Sequence, residues 1–323
     1  MTPITRRMTL ATLLGAMALP LSRAKAAALD ELRLDWATYN PVSIVLKEQG
    51  LIEKEFAADN IPVVWVQSLG SNKALEFLAA GSIQFGSTAG AAALINRING
   101  NPVRSIYVFS RPEWTALVTL KDSPINTVAD LKGKKIAVTR GTDPHVFLVR
   151  ALADAGLSED DVTLVLLQHA DGRLALTRGD VDAWAGLDPM MASAELQDGA
   201  RLFFRKPEAN TWGILNVSEE FATAHPDIVT RVIKVYEQGR KWALENPGAL
   251  AELLAKTAKI PIEVARKQLG ERTDLTHNKI GDDQRASILA AGKALQSAGV
   301  IKADVDVQSA VDKLIDPSFT SGL

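Results

Sequence analysis

The sequence predicts an α/β protein of two lobes joined by two strand crossings, with extra helices at its C-terminal end. Three observations carry that prediction. Short apolar, β-rich runs alternate with helix-length stretches from residue 32 to residue 217, the pattern of layered α/β folds with mostly parallel strands. About 297 residues follow a 26-residue leader, too many for one small domain and few for three. In two places strand follows strand with no helix between: Val103–Ser110 runs through Arg111-Pro112-Glu113 into Thr115–Leu120, and a matching pair flanks Pro207–Thr211. Such a double crossing leaves a cleft between lobes, lined by helix N-termini and the carboxyl ends of strands.

Taken along the chain, Arg6-Arg7 precede an uncharged stretch from Met8 to Leu21, and Ala24-Lys25-Ala26 supplies the small residues that a signal peptidase reads. Residues 1–26 are therefore expected to be a secretory signal, its apolar run too short for the roughly 20 residues of a membrane-spanning helix. Thr5-Arg6-Arg7-Met8-Thr9-Leu10 is similar to a twin-arginine export signal, although a general leader also starts with two positive charges. Strands are expected at Leu32–Trp36, Val63–Val66, Ile83–Phe85, Ser105–Phe109, Ala116–Leu120, Lys135–Thr139, Thr163–Leu167, Ala183–Ala185, Leu202–Phe204 and Gly213–Val217. From Phe221 onward only helical periodicity remains, over Val229–Asn246, Pro247–Lys256, Pro261–Leu269 and Asp282–Ala298. Pro41, Pro189, Pro247 and Pro261 mark helix starts, while Gly50, Gly81, Gly100, Gly156, Gly270 and Gly299 follow helix ends.

Composition removes several function classes. Lys and Arg number 36 against 38 Asp and Glu, scattered along the chain, which leaves no basic footprint for nucleic acid. Losing Arg6, Arg7, Arg23 and Lys25 with the leader moves the net charge from −2 to about −6. Cysteine is absent, so disulfides, thiolate metal sites and a cysteine nucleophile are excluded. No G-x-S-x-G, Walker A, G-x-G-x-x-G or H-E-x-x-H motif occurs. His145 and His169 stand near Asp143 and Asp171 and could converge on a metal, but the simpler expectation is that each closes a local turn or caps a helix. No catalytic residue, metal ligand or cofactor is predicted.

Three strand-to-helix turns rich in small residues carry the stronger signal: Gln67-Ser68-Leu69-Gly70-Ser71-Asn72, Gly86-Ser87-Thr88-Ala89-Gly90 and Thr139-Arg140-Gly141-Thr142-Asp143-Pro144. Each aims free N–H groups, a hydroxyl and the positive end of a helix dipole at one point. Any one of them could be ordinary helix capping. Three on two lobes, one containing Arg140, point to an anion held between the lobes. Trp114, Trp184 and Trp212 lie beside these turns and crossings, where an indole supplies an apolar wall with an N–H at its edge. Asp188, ahead of Pro189, is a helix cap or a selector of a cationic or hydroxyl group.

The stretches Ser68–Glu76, Phe85–Gly90, Ser110-Arg111-Pro112-Glu113-Trp114, Asp130–Val138 and Thr139–Asp143 resemble the periplasmic substrate-binding proteins of ABC importers for aliphatic sulfonates, a group related to the taurine and nitrate binding proteins. The resemblance covers essentially the whole chain after the leader. Val128–Lys134 is typical of type II periplasmic binding folds in general and says little about ligand; the Ser-Arg-Pro-Glu-Trp and Thr-Arg-Gly-Thr-Asp-Pro-His stretches are the more specific. The resemblance implies two Rossmann-like lobes, 29–111 plus 212–323 and 112–211, joined by a two-strand hinge. It also implies a monomer in the periplasm that hands its ligand to a membrane permease and, through it, to an ATPase.

A sulfonate has three acceptor oxygens and no proton, so it asks for donors only. Ser71, Thr88, Gly141 and Thr142 are the expected donors, assisted by Arg140. Trp114, Trp184 and Trp212 would wall the organic tail, with Tyr39, Asn40, Gln168 and Asp188 as further candidates. Taurine would want an acid such as Asp188 or Glu113 at its ammonium, and nitrate, having no tail, would need no tryptophan wall. An enzyme on the same fold, such as a desulfinase or a pyrimidine-forming relative, and a ligand-sensing module are the rivals from other classes. The desulfinase version uses a cysteine that this chain lacks.

Overall fold

A computed structural model describes residues 29–323; the expected signal at 1–26 lies outside the described residues. The chain opens with β1 (Leu32–Trp36), α1 (Pro41–Gln49), α2 (Leu51–Phe56), β2 (Val63–Gln67), α3 (Ser71–Ala79), β3 (Phe85–Ala89), α4 (Gly90–Ile98) and β4 (Val103–Pro112). It crosses into β5 (Leu117–Leu120), β6 (Lys135–Val138), α5 (Asp143–Asp154), β7 (Thr163–Leu166), α6 (His169–Arg178), β8 (Ala183–Ala185), α7 (Met190–Gln197) and β9 (Ala200–Phe204). It then returns through β10 (Gly213–Ser218) to α8 (Glu219–Ala224), α9 (Pro226–Glu245), α10 (Pro247–Ala258), α11 (Ile262–Arg272), β11 (Thr273–Asp274), α12 (Asp282–Ser297) and α13 (Val307–Leu314).

These strands form two sheets, of order β11-β4-β10-β3-β1-β2 and β7-β6-β8-β5-β9. The chain passes between them twice, after β4 and before β10. Most strands run in one direction within each sheet, as expected, and the crossings supply exceptions. β1 is parallel to β2 and β3, and β6 to β7 and β8, but β10 runs antiparallel to β3 and β4, and β5 antiparallel to β8 and β9. A strand that arrives from the other sheet enters against the direction of its βαβ neighbours.

Two further differences have local causes. Gly86–Ala89, expected as a turn after a strand ending at Phe85, is itself strand β3, buried at every position. Its small residues let helix α3 lie directly on the strand: a Cβ on Gly86 would stand 2.8 Å from Leu78 Cδ1. The C-terminal region is not all helix, because β11 pairs Thr273 with Pro112 and Asp274 with Arg111, tying the end of α11 to the first crossing.

The helix starts follow the sequence signals. Asn40 caps α1, its Oδ1 accepting from Ser43 N at 3.1 Å, Pro41 and Pro247 occupy the first turns of α1 and α10, and α9 starts at Pro226, three residues ahead of the expected Val229. The lobes are closed on each other. α5 packs against α4 and α12, α7 packs against α11, and Trp114, Val146, Val149 and Leu187 join the apolar core built around β1, β3, β4 and β10.

Candidate functional site

A small cavity lies on the boundary between the lobes, lined by Tyr39 and Ser71 on one side and by Trp114, Thr142, Asp143, Pro144, His169 and Leu187 on the other. Three helices of nine residues or more begin there: α3 at Ser71, α5 at Asp143 and α6 at His169. In α3 the first turn amides to find a carbonyl are Lys73 and Ala74, both on Gly70 C=O (3.0 and 3.2 Å). In α5 they are His145 and Val146, on Thr142 C=O (3.1 and 3.2 Å), and in α6 it is Gly172, on Gln168 C=O (2.8 Å). The amides ahead of these are the ones a helix cannot satisfy internally, and they carry the positive end of its dipole. Gly141 makes the second turn possible, its φ of 77° being the left-handed region that a side chain resists. Among the described residues no lysine or arginine lines the cavity; any charge held there is held by dipoles and hydroxyls.

The side chains are positioned by a polar frame on each lobe. Tyr39 donates its hydroxyl to Ser87 C=O at 3.0 Å and meets the Trp114 ring edge-on, centroids 5.8 Å apart. Ser71 Oγ accepts from Ala89 N at 3.0 Å, which leaves its own proton free. Thr142 is committed differently, its hydroxyl donating to Thr139 C=O at 2.6 Å. Asp143 gathers both crossings: it accepts from Trp114 Nε1 (2.9 Å), Thr211 N (2.8 Å) and Thr211 Oγ1 (2.6 Å). Burial still pushes its carboxyl up to about 6, the three hydrogen bonds pulling against the desolvation. Burial lowers the His169 imidazole to about 3, so the ring is neutral.

Of the residues expected from the sequence, Tyr39, Ser71, Trp114 and Thr142 line the cavity, and Gly141 stands in the turn beside it, where a Cβ would lie 3.6 Å from Asn72 Cβ across the lobe boundary. Asn40 is one layer deeper, capping α1 and donating to Ser87 Oγ at 2.7 Å. Gln168 precedes His169, its Oε1 buried without a partner among the described residues. Four others are not brought to the cavity. Thr88 faces Asn216, accepting from its Nδ2 at 2.7 Å while donating to Ala89 C=O. The Trp184 indole packs onto α6 inside its own lobe, its Nε1 2.7 Å from where a Cβ on Gly172 would stand. Trp212 lies at the second crossing, edge-on to His277 at 5.0 Å and under Arg111 at 5.3 Å. Arg140 is exposed and its guanidinium lies 3.8 Å from Glu159.

Asp188 is a cap, accepting from Ala192 N at 2.9 Å, and it is also an ion-pair partner. Arg272, fully buried at the end of α11, reaches it at 2.8 Å and Glu195 of α7 at 2.6 Å, so this cluster bridges the lobes. Glu113, the other acid considered for an ammonium group, is spent on Arg205 at 2.6 Å. His145 turns to Glu159 at 2.9 Å and His169 to Thr139 Oγ1 at 3.1 Å, and among the described residues no three His, Asp or Glu side chains gather as metal ligands do. Sequence reasoning missed Asp143 as the clasp of the hinge and Asn72 and Leu187 as neighbours of the cavity. The position of His169 at the first turn after a strand was the available signal for its role.

A family profile described as NMT1/THI5 like matches residues 53–250. The chain is 30% identical over 249 residues to the Escherichia coli (strain K12) protein named "Putative aliphatic sulfonates-binding protein", an alignment covering 76% of this chain and 77% of that one. It superposes on the alkanesulfonate-binding protein SsuA from Xanthomonas axonopodis pv. citri, a structure with bound MOPS, with a TM-score of 0.80 and 27% identity over 88% of this chain and 99% of that one. The periplasmic aliphatic sulphonate binding protein SsuA from Escherichia coli gives a TM-score of 0.75 at 26% identity, over 90% and 93%. The fold is therefore the bilobal type II periplasmic-binding-protein fold. A profile matching more than half of the chain, together with these relatives along three quarters of it or more, means that the chain belongs to the NMT1/THI5-like family.

Proposed function

We propose that this protein is the periplasmic solute-binding component of an ABC importer, binding aliphatic sulfonates between its lobes and delivering them to a membrane permease and its ATPase for sulfur acquisition. The observation that carries the reading is the meeting of three helix N-termini at one buried cavity whose wall holds no lysine or arginine among the described residues, because a permanent anion with acceptor oxygens alone needs donors and no counter-charge. The kinship with sulfonate-binding proteins supports it. The lobes are 29–111 plus 212–323 and 112–211. The amides of Ser71, Asn72, Gly141, Thr142 and Asp143 and the Ser71 hydroxyl take the head group, and Tyr39, Trp114 and Leu187 wall the tail. Ligand contacts made on both lobes favour the closed form, which the permease recognises. The protein acts as a monomer, is exported by residues 1–26, and performs no catalysis.

The test is a thermal-shift and calorimetry panel of alkanesulfonates of increasing chain length beside nitrate, sulfate and bicarbonate. A ligand bound only by the folded state raises the midpoint by mass action. Stabilisation by the sulfonates that grows with tail length is the expected result; a response to nitrate or bicarbonate alone would overturn the assignment.

A further inference from the structure

Asp143 puts a carboxylate in the wall of the cavity that the helix N-termini face. The carboxyl is buried, and the donors it accepts from are neutral: Trp114 Nε1 at 2.9 Å and Thr211 N at 2.8 Å on Oδ2, and Thr211 Oγ1 at 2.6 Å on Oδ1. The cations around it are turned elsewhere. Arg150, farther along α5, donates to Ala209 C=O at 3.0 Å, and Arg140, in the turn before α5, lies 3.8 Å from Glu159, which also holds His145 at 2.9 Å. Of the elements packed on α5, α4 brings Arg97, which goes to Glu219 at 2.9 Å, and α12 brings Arg285, which goes to Asp312 at 2.5 Å, with Asp282, Asp283 and Lys293 exposed. Val128–Leu131 brings Asp130, bonded to Asn126 N and Thr127 N, and β8 carries no titratable group. Across the cavity His169 of α6 is neutral, Arg272 is paired with Asp188 and Glu195, Arg111 lies over the Trp212 ring, and Lys206 reaches Asp154 at 2.8 Å.

An anion seated on the α5 amides therefore sits beside a carboxylate with no cation between them. Two like charges at close range in a buried site do not both stay ionised. A sulfonate holds no proton near neutral pH, so the carboxyl is the group that yields. Burial has already raised it to about 6, which makes the step short. We propose that Asp143 takes up one proton from solvent, on its less committed oxygen Oδ1, when the anion binds, so that the protein captures its ligand as an anion together with a proton. The bound state then holds one negative charge in the cavity instead of two, and because the carboxyl is more basic in the complex than in the free protein, binding strengthens as pH falls. This rests on the proposed binding of sulfonates at the same cavity.

The experiment is calorimetry of ethanesulfonate binding to the purified protein at about pH 7 in cacodylate and in imidazole, two buffers that differ widely in protonation enthalpy and are not sulfonates. The enthalpy difference should report uptake of about half a proton or more per ligand, and affinity should be about five- to tenfold weaker at about pH 8 than at about pH 6. Asp143→Asn keeps an acceptor for Trp114 Nε1 and Thr211 N; it should abolish the uptake and hold the affinity within about twofold across that range. Asp35→Asn should retain the uptake, since Asp35 is bonded to Ser87 behind the cavity wall; uptake lost there and kept in Asp143→Asn would overturn the assignment to Asp143. If ethanesulfonate binds the native protein with no proton uptake, this inference is overturned while the sulfonate assignment stands. If no alkanesulfonate binds, the assignment falls and takes the inference with it. The native measurement needs no variant to fold, and a ¹³C spectrum of protein labelled at its aspartate carboxyls gives an independent reading: one carboxyl moving to its neutral form when ethanesulfonate is added is expected, and none moving would refute the argument.

Discussion

Asp35 shows how this protein pays for a buried charge with donors alone. Its Oδ1 accepts from Ser87 N at 2.9 Å and Ser87 Oγ at 2.8 Å, yet burial raises the carboxyl to about 6. Because the folded value is above the unfolded one, the group's favourable contribution is complete below about pH 4 and lost as pH rises through 6. Asp35→Asn keeps the acceptor oxygen and removes the charge. The difference in unfolding free energy between variant and native protein should grow in the variant's favour from pH 4 to pH 7, by up to about 3 kcal/mol, measured by denaturant titration at each pH. Asp143 and Asp188, also raised to about 6, cancel in that difference. Ser71 supplies the one lining hydroxyl whose proton is uncommitted. Ser71→Ala should weaken sulfonate binding by about tenfold in calorimetry, the value of a hydrogen bond to a charged group. Ser71, Thr142 and Trp114 were legible in the sequence because strand–small residue–helix turns recur in it. Thr88 and Trp184 were not, because which face of a strand a side chain takes depends on register, and there both alternatives satisfy the same spacing.

At the level of helices and turns, the start of α3 is the tightest point of the closed arrangement. Gly70 has an extended backbone that any residue adopts, so its constraint is contact alone: Asn72 Oδ1 and His169 Nε2 would lie 2.8 and 3.0 Å from an added Cβ. Gly70→Ala should wedge the lobes apart. The expected result is weaker ligand binding in calorimetry with little change in the thermal midpoint of the ligand-free protein; an unchanged affinity would contradict the role. Trp114 works through its indole N–H as well as its ring. Trp114→Phe keeps most of the wall and removes the donor to Asp143, and a loss of about 1–3 kcal/mol in unfolding free energy, read as a lower thermal midpoint, should follow. The clasp of Asp143 on both crossings was invisible in the sequence, since Trp114, Asp143 and Thr211 are far apart along the chain and only the crossing brings them together.

Across the molecule, closure is held by one buried cluster as well as by apolar packing. Arg272 comes from one lobe and Asp188 and Glu195 from the other, with the guanidinium and the Asp188 carboxylate both about 1% exposed. Removing one member of a buried pair leaves the other uncompensated, at a cost of about 3–5 kcal/mol. Arg272→Met should lower the thermal midpoint, enlarge the radius of gyration in small-angle scattering and weaken anion binding. The double variant with Asp188→Asn should recover part of the midpoint without the affinity, since the burial cost is relieved and the bridge is not restored.

Alternating β-rich and helical runs, proline and glycine at helix ends, the two strand-to-strand passages and the absence of cysteine were enough to specify the layered two-lobe architecture and the donor-rich turns, because these are local or periodic properties of the chain. The direction of the crossing strands, the burial of Trp184 and Trp212 away from the cavity, the outward course of Arg140 and the pairing of Arg272 with Asp188 were decided only on folding. Each depends on residues distant in sequence competing for the same partner or the same space, and that competition is settled by packing.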